Sequence, residues 1–167
     1  MNAKKFLQNI HTIKTFASSP HNDVLDLTVP LHLFYIAMRK NVLIILEEFG
    51  LIESELDLLV SLLNAAQTDH TLSPTQLYDT LLFSSGGMTK MLKRLEERGL
   101  IERPNNPDDK RNKLVRLTSK GSEVALRAFN EILSYEHECF SVLDANEQET
   151  LNRLLNKLAV HLHQFSE

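Results

Sequence analysis

Apolar residues recur at helical spacing in the first third of the chain and predict two helices. A long helix is predicted over residues 30–49, beginning with Pro30 and stopped by Gly50, with apolar side chains around most of its circumference. A helix of this kind is expected to be buried on several sides. The second helix is predicted over residues 53–66, and its apolar stripe comprises Ile52, Leu56, Leu59, Val60 and Leu63.

The middle of the chain carries signals for two shorter helices. Ser73 is a predicted N-cap, with Pro74 at the first helical position. After a short break, Ser84 and Ser85 offer a second N-cap, and Gly99 ends the helix that follows. The apolar face of the first of these helices comprises Leu77, Leu81 and Leu82, and that of the second comprises Met88, Met91, Leu92 and Leu95.

A hairpin is predicted directly after these helices. Two strand-like runs, residues 100–103 and 114–117, flank a turn-rich segment whose tip is Asp108, Asp109, Lys110 and Arg111. Helix, short turn, helix and hairpin in this order are typical of a winged helix-turn-helix, in which the second helix enters a major groove of DNA. The predicted fold class is therefore mainly α with a small β-hairpin wing, extended by helices at both ends of the chain.

These terminal helices exceed what a winged-helix unit needs for its own core. Residues 6–16 have the pattern of a short amphipathic helix before a linker at residues 18–26, with a targeting presequence as the alternative. Thr118 is a predicted N-cap for one long helix, and Asp144 with Glu147 begins another. The excess of apolar helix implies a second copy as partner, with a self-contained bundle as the alternative. The apolar stripe of the last helix comprises Leu151, Leu154, Leu155, Leu158, Leu162 and Phe165.

Charge is unevenly distributed along the chain. Residues 84–120 hold ten Lys or Arg and five Asp or Glu, whereas the remainder holds 8 and 17, which gives the net charge of −4. A basic segment on an acidic body is expected of a protein that binds nucleic acid, although the net charge alone would argue weakly against it.

Linked motifs in the basic segment resemble those of the MarR family of transcriptional regulators. The family pattern runs from a helix-turn-helix through RLxxxGLIxR to an acid-x-Arg wing tip and then LTxxG. This sequence matches it at residues 94–103, 109–111 and 117–121. The likeness covers roughly residues 31–165 when the flanking helices are included.

The resemblance implies a homodimeric repressor that binds an inverted-repeat operator in double-stranded DNA. Residues 1–50 and 122–167 would be the N- and C-terminal dimerisation helices, and residues 51–121 would be the DNA-binding domain. Gly86 and Gly87 depart from the family pattern, because many members carry Ser or Thr there, but glycine allows close approach of the backbone to DNA. The residues expected to contact DNA are Ser84, Ser85, Gly86, Gly87, Thr89, Lys90, Lys93, Asp109, Arg111 and Lys113.

A candidate effector site lies on the first long helix. His32, Tyr35 and Arg39 share one face there and offer hydrogen-bond donors, a ring and a fixed positive charge, which suit a small aromatic anion. By resemblance, such acids or phenols would bind between the dimer helices and the DNA-binding domain. Asp57 matches an acid that some relatives use with a Trp, but this chain has no Trp. The alternative is that the three residues pair across the dimer or extend to solvent.

Chemistry other than binding has few candidates. Cys139 cannot form an internal disulfide, and the neighbouring Glu138 disfavours its thiolate. His161 and His163 point about 200° apart on a helix, so one metal ion is not expected to be held by both. No phosphate loop, zincin motif or nucleophile elbow occurs, so no catalytic residue, metal or cofactor is expected. The alternative functions are a thiol- or metal-responsive regulator of the same fold, or a winged-helix protein-interaction module; an enzyme is the least favoured.

The sequence predicts a soluble cytoplasmic protein. A single cysteine suits a reducing compartment, and no signal peptide is visible. The apolar runs 33–38 and 42–46 are separated by Arg39 and Lys40 and are shorter than the roughly 20 residues that span a bilayer. No membrane is therefore expected among the partners.

Overall fold

The computed structural model of the chain describes residues 20–80, 85–107 and 113–163, and the side chains of all of these except residues 79, 80, 85, 86, 162 and 163. Its mainly helical fold with a small antiparallel sheet confirms the predicted fold class. The predicted N-terminal helix over residues 6–16 lies outside the described residues. The elements are α1 (Leu25–Glu48), α2 (Glu53–Asn64), β1 (Thr71–Leu72), α3 (Pro74–Thr80), α4 (Ser85–Glu97), β2 (Ile101–Glu102), β3 (Val115–Leu117), α5 (Ser119–Phe140) and α6 (Ala145–His163).

The first helix begins at Leu25, five residues earlier than predicted, so Pro30 lies inside it and not at its start. A 3₁₀ turn at Asn22–Val24 runs directly into α1, so the predicted linker up to residue 26 is wrong over its last residues. The Thr28 hydroxyl donates to the Val24 carbonyl at 3.2 Å. Pro30 lies in the second turn of the helix. It has no N–H to donate to the carbonyl four residues earlier, so one helical hydrogen bond is missing there, but the helix continues to Glu48.

The prediction that α1 is buried on several sides is wrong for the single chain. Leu46, near its C-terminal end, is its one buried residue, whereas Leu27, Leu31 and Tyr35 are 73%, 54% and 52% exposed. The apolar runs also join into one helical stretch, Asn22–Glu48, of 27 residues, which by length and composition alone could cross a membrane. This is weak evidence for a membrane, because a helix that packs against a second subunit has the same apolar character.

The sheet has three strands where the sequence predicted two. β3 pairs antiparallel with β2, as expected of a wing, and also with β1. The Leu117 N–H donates to the His70 carbonyl at 3.1 Å, which extends the pairing beyond β1. Arg116 on β3 bonds Glu102 at 2.7 Å and lies 3.7 Å from Asp69. A strand of two residues is too short to show alternation, so β1 had no signal in the sequence.

One hydrophobic core joins α2, α3, α4, the sheet and the beginning of α5. The predicted apolar face of α4 is confirmed. That of α2 is confirmed at Leu56 and Leu59, but Leu58 and Leu62 are also fully buried, and Ile52 is 49% exposed. Leu81 and Leu82 lie outside the described residues. The buried residues of this core include Leu56, Leu58, Leu59, Leu62, Leu77, Met88, Met91, Leu92, Leu95, Leu100, Ile101, Val115, Leu117, Ala125 and Ala128.

Thr118 and Gly121 join the sheet to α5. The Thr118 hydroxyl accepts the Gly121 N–H at 2.9 Å and so caps α5, as predicted, while it also contacts the carbonyls of Gly99 and Leu100 at 2.8 and 3.1 Å. A Cβ atom on Gly121 would lie 1.9 Å from the Leu100 oxygen. The helix can therefore pack this closely on the strand only if residue 121 is glycine.

The described residues form two compact units, one ending at Phe129 and the other beginning at Asn130, within α5. In the second unit the predicted start of α6 is confirmed. The Asp144 carboxylate accepts the Glu147 N–H, and the Glu147 carboxylate accepts the Asp144 N–H, both at 2.9 Å. Much of the predicted apolar stripe of α6 is exposed in the single chain, at Leu154, Leu155 and Leu158.

Candidate nucleic-acid interface

Helices α3 and α4 are the helix-turn-helix of this fold. The Ser73 hydroxyl accepts the Gln76 N–H at 3.2 Å, and the Gln76 side-chain oxygen accepts the Ser73 N–H at 2.8 Å. This reciprocal capping confirms Ser73 as the N-cap of α3. Leu77 on α3 is fully buried, so α3 serves as a support on which α4 can rest.

The helix α4 has one face locked in the core and one face open to solvent. Met88 and Leu95 are at most 1% exposed. On the outward side Gly87, Thr89, Lys90 and Lys93 are all exposed. Lys93 lies 3.8 Å from Glu97 one turn later, a weak surface pair that leaves its ammonium group accessible.

The structure describes only some of the remaining residues that were predicted to contact DNA. Ser85 and Gly86 form the first turn of α4, although their side chains are not described. Lys113 is exposed on the returning arm of the wing, opposite Asn105 in an isolated antiparallel bridge. The other predicted contacts, Ser84, Asp109 and Arg111, lie outside the described residues.

Arg103 braces the base of the wing from within. Its Nε donates to the Leu114 carbonyl at 3.0 Å and its Nη2 to the Lys113 carbonyl at 3.1 Å. The Leu114 N–H in turn donates to the Pro104 carbonyl at 2.9 Å. These bonds join the two arms of the wing, so Arg103 shapes the wing instead of offering its charge to a ligand.

Several other cations in the basic segment also serve the fold. Arg94 and Arg98 donate to carbonyls at the end of α1, at distances of 2.7–2.9 Å. Lys120 donates to the Arg98 carbonyl at 2.8 Å. With Arg103 and Arg116, five of the eight basic residues that the structure describes between residues 84 and 120 hydrogen-bond to groups of this chain. The number of basic residues in this segment therefore overestimates the positive charge available to a ligand. A count from the sequence cannot tell a cation that bonds a group of its own chain from one that faces solvent.

The predicted effector residues lie on the exposed side of α1. His32, Tyr35 and Arg39 are exposed, and the Arg39 guanidinium forms a two-pronged ion pair with Glu53 at the start of α2, with Nε 3.0 Å from Oε1. This pairing raises the pKa of Arg39. Asp57, one turn after Glu53, is exposed as a residue, yet partial desolvation of its carboxyl group and the nearby Glu53 charge raise its pKa.

The other candidate chemistry lies in the second unit. Cys139 is half-buried and free. Among the described residues no group of three His, Cys, Asp or Glu side chains is arranged to hold a metal ion. Neither feature adds a reactive site to the helix-turn-helix.

A helix-turn-helix followed by a wing, with one helix face held outward, defines a winged-helix protein of the kind that binds DNA. The MarR family model matches residues 49–112. The regulator PrsX of Escherichia coli is 30% identical over 129 residues, which are 77% of this chain and 76% of PrsX. The repressor MprA of Escherichia coli K12 is 31% identical over 106 residues, which cover 61% of this chain but only 58% of MprA.

Solved structures agree with these matches. A mutant of MarR from Escherichia coli in complex with operator DNA superposes with a TM-score of 0.67 at 28% identity, covering 84% of this chain and 99% of that one. The chain belongs to the MarR family, whose members are transcriptional regulators and not enzymes.

Proposed function

We propose that this protein is a homodimeric transcriptional repressor that binds an inverted-repeat operator in double-stranded DNA. The observation that carries the proposal is α4: its apolar side is locked in the core, so its polar side is presented to solvent in a fixed orientation. A helix held in this way suits insertion into a major groove. Repression is proposed because MprA is named a repressor.

The proposed contacts follow from that orientation. Gly87, Thr89, Lys90 and Lys93 would face the groove, with Ser84, Ser85 and Gly86 near the phosphates at the beginning of the helix. The wing would follow the neighbouring minor groove through Asp109, Arg111 and Lys113.

The dimer is proposed from uncovered apolar surface. Leu27, Leu31, Phe34 and Ile44 on α1 are each 38–73% exposed, which a soluble protein of this kind covers with a partner. Residues 1–50 and 122–167 would form the dimerisation helices, and residues 51–121 the DNA-binding domain. A soluble protein with DNA as its partner would work in the cytoplasm.

A titration against duplex DNA tests the proposal. The wild-type protein would select duplexes from a random library, and its affinity for them would be measured at several salt concentrations. Affinity is expected to fall steeply as salt rises, because Lys and Arg displace counterions from phosphates. Lys93→Ala is expected to lower affinity and to reduce the salt slope by about 1, since one phosphate contact is lost. Lys157→Ala on α6 is the matched control and is expected to bind as wild type does. An affinity independent of salt would refute DNA binding by this surface.

We also propose that a small aromatic or phenolic acid releases the repressor from DNA. The Arg39 guanidinium already holds a carboxylate, that of Glu53, in a two-pronged ion pair, so a ligand carboxylate could take the same place. Tyr35, one turn before Arg39 on the same helix and exposed, would offer its ring to the ligand. His32 and Asp57 would complete the polar side of the site. To act as an effector, the ligand must bind one arrangement of the dimer more tightly than the arrangement that fits the operator.

Salicylate tests this second proposal. Release of the wild-type protein from the selected duplex is expected, whereas Arg39→Ala should blunt release and leave DNA affinity near normal, because an ion pair open to solvent contributes little to stability. Glu53→Gln is the matched variant and is expected to strengthen salicylate binding by freeing Arg39. Equal salicylate affinity in wild type and Arg39→Ala would reject this site without affecting the DNA-binding proposal.

A further inference from the structure

The junction between α1 and α2, residues 49–52, is held by two arginines, Arg94 near the C-terminal end of α4 and Arg98 directly after it. Gly50 has a φ of +61° and ends α1 in a left-handed turn. The Arg98 guanidinium donates to the carbonyls of both Phe49 (2.8 Å) and Gly50 (2.7 Å). Carbonyls at the C-terminal end of a helix lack partners within the helix and carry partial negative charge, so a cation binds there favourably.

Arg94, one turn before Arg98, holds the same junction from a second point. Its Nη2 donates to the Gly50 carbonyl at 2.9 Å, and its Nε lies 3.3 Å from the Glu55 carboxylate. Glu55 is only 1% exposed and also accepts the Ile52 N–H at 3.1 Å. The Glu55 carboxylate therefore binds the beginning of α2 and the flank of α4 at once, and its burial makes the arrangement stiff.

These contacts differ from the apolar packing of α4 in that they have direction. Each apolar contact has no preferred direction, whereas a guanidinium that bridges two carbonyls accepts only a narrow range of angles. The helix α1, to which α4 is tied here, carries exposed apolar side chains, among them Leu27, Leu31 and Ile44, that the proposed dimer would cover.

We propose that Arg94 and Arg98 form a junction clamp that fixes the angle between α1 and α4, and that they are positioning residues for operator binding. In a dimer built through α1, this angle sets the distance between the two recognition helices and hence the preferred spacing of the two half-sites. The inference rests on the proposed function, since it needs a dimer that binds two half-sites. Neither arginine needs to touch DNA for this role.

Arg98→Ala is the more informative variant. Arg94→Ala would leave the buried Glu55 carboxylate without its cationic partner, whereas Arg98→Ala leaves no buried charge unpaired. Affinity would be measured for the selected duplex and for duplexes with one base pair added or removed between the half-sites. Arg98→Ala is expected to reduce the preference for the native spacing by about fivefold, the lower end of typical couplings between distinct parts of a protein. Arg98→Lys keeps the charge but cannot bridge both carbonyls, and it should show the same change in smaller degree.

Arg116→Ala is the matched control, because it also removes an ion-paired arginine of the same unit, but one that lies on the sheet away from the junction. It is expected to keep the wild-type spacing preference. A variant that is merely less stable would lose affinity for all duplexes by the same factor. An unchanged preference in folded Arg98→Ala and Arg98→Lys, or an equal change in Arg116→Ala, would overturn the clamp while the regulator proposal stands. Failure of the wild-type protein to bind any selected duplex would overturn both.

Discussion

Replacing Gly121 by alanine should destabilise the protein, because the added methyl group has no room. An ideal Cβ at residue 121 would lie 1.9 Å from the Leu100 oxygen and 2.9 Å from both the Leu100 carbonyl carbon and a methyl group of Leu117. The Leu100 carbonyl cannot simply turn away, since it accepts the Thr118 N–H at 3.1 Å and lies 3.1 Å from the Thr118 hydroxyl. Either α5 must move off the strand or these bonds must lengthen.

The size of the effect follows from three contributions. Overpacking of a well-filled site costs about 1–3 kcal/mol, and weakening the bonds to Leu100 adds about 1 kcal/mol. Alanine is favoured over glycine in a helix by about 1 kcal/mol, which opposes these terms. We therefore expect a net loss of about 2 kcal/mol in the free energy of unfolding, which for a chain of this size lowers Tm by roughly 4–8 °C.

The assay is thermal and urea unfolding followed by circular dichroism at one fixed protein concentration, since a dimer's Tm depends on concentration. Ser122→Ala is a comparison one residue later in α5 that removes a hydroxyl group and adds no carbon, and it should change the free energy of unfolding by no more than about 0.5 kcal/mol. Gly99→Asn offers a second comparison. Gly99 has a φ of +68° and no atom within 4 Å of its ideal Cβ, so Asn, which tolerates this conformation, should be accepted there. If Gly121→Ala proves as stable as Ser122→Ala, the close approach of α5 to Leu100 is wrong.

Two further predictions concern the wing and α2. Arg111→Ala should weaken operator binding in a folded dimer, because a long cation at the wing tip can enter a narrow minor groove; unchanged affinity in gel-shift titration would reject this role. Asp57→Asn should stabilise the protein at pH 7. Desolvation and the Glu53 charge raise the pKa of Asp57, so folding favours the protonated acid. The stability that the protonated acid contributes is lost as pH rises through the raised pKa, and at pH 7 the neutral Asn avoids the cost of the ionised carboxylate. Urea unfolding should show the gain shrinking as pH falls towards the ordinary value of 3.8, and a gain that grows on acidification would contradict the assignment.

The sequence by itself determined the features that depend on neighbours within a few residues. Ser73 before Pro74, Asp144 with Glu147, and Thr118 all cap helices where local pattern predicted caps, because each bonds a backbone group three residues away. The apolar face of α4 was equally predictable, since helical periodicity alone selects Met88, Met91, Leu92 and Leu95. For the candidate interface this was sufficient to identify Thr89, Lys90 and Lys93 as the outward side.

Only the tertiary structure decided what depends on residues far apart in the chain. Arg94 and Arg98 are of the residue type expected on a DNA-binding surface. Their side chains instead donate hydrogen bonds to carbonyls 44–49 positions earlier in the chain, which no local pattern can reveal. The strand β1 exists because β3 pairs with it, and Gly121 is required because Leu100 packs against it. In each case the deciding interaction forms when separate elements meet, so the physical reason lies in packing rather than in periodicity or residue type.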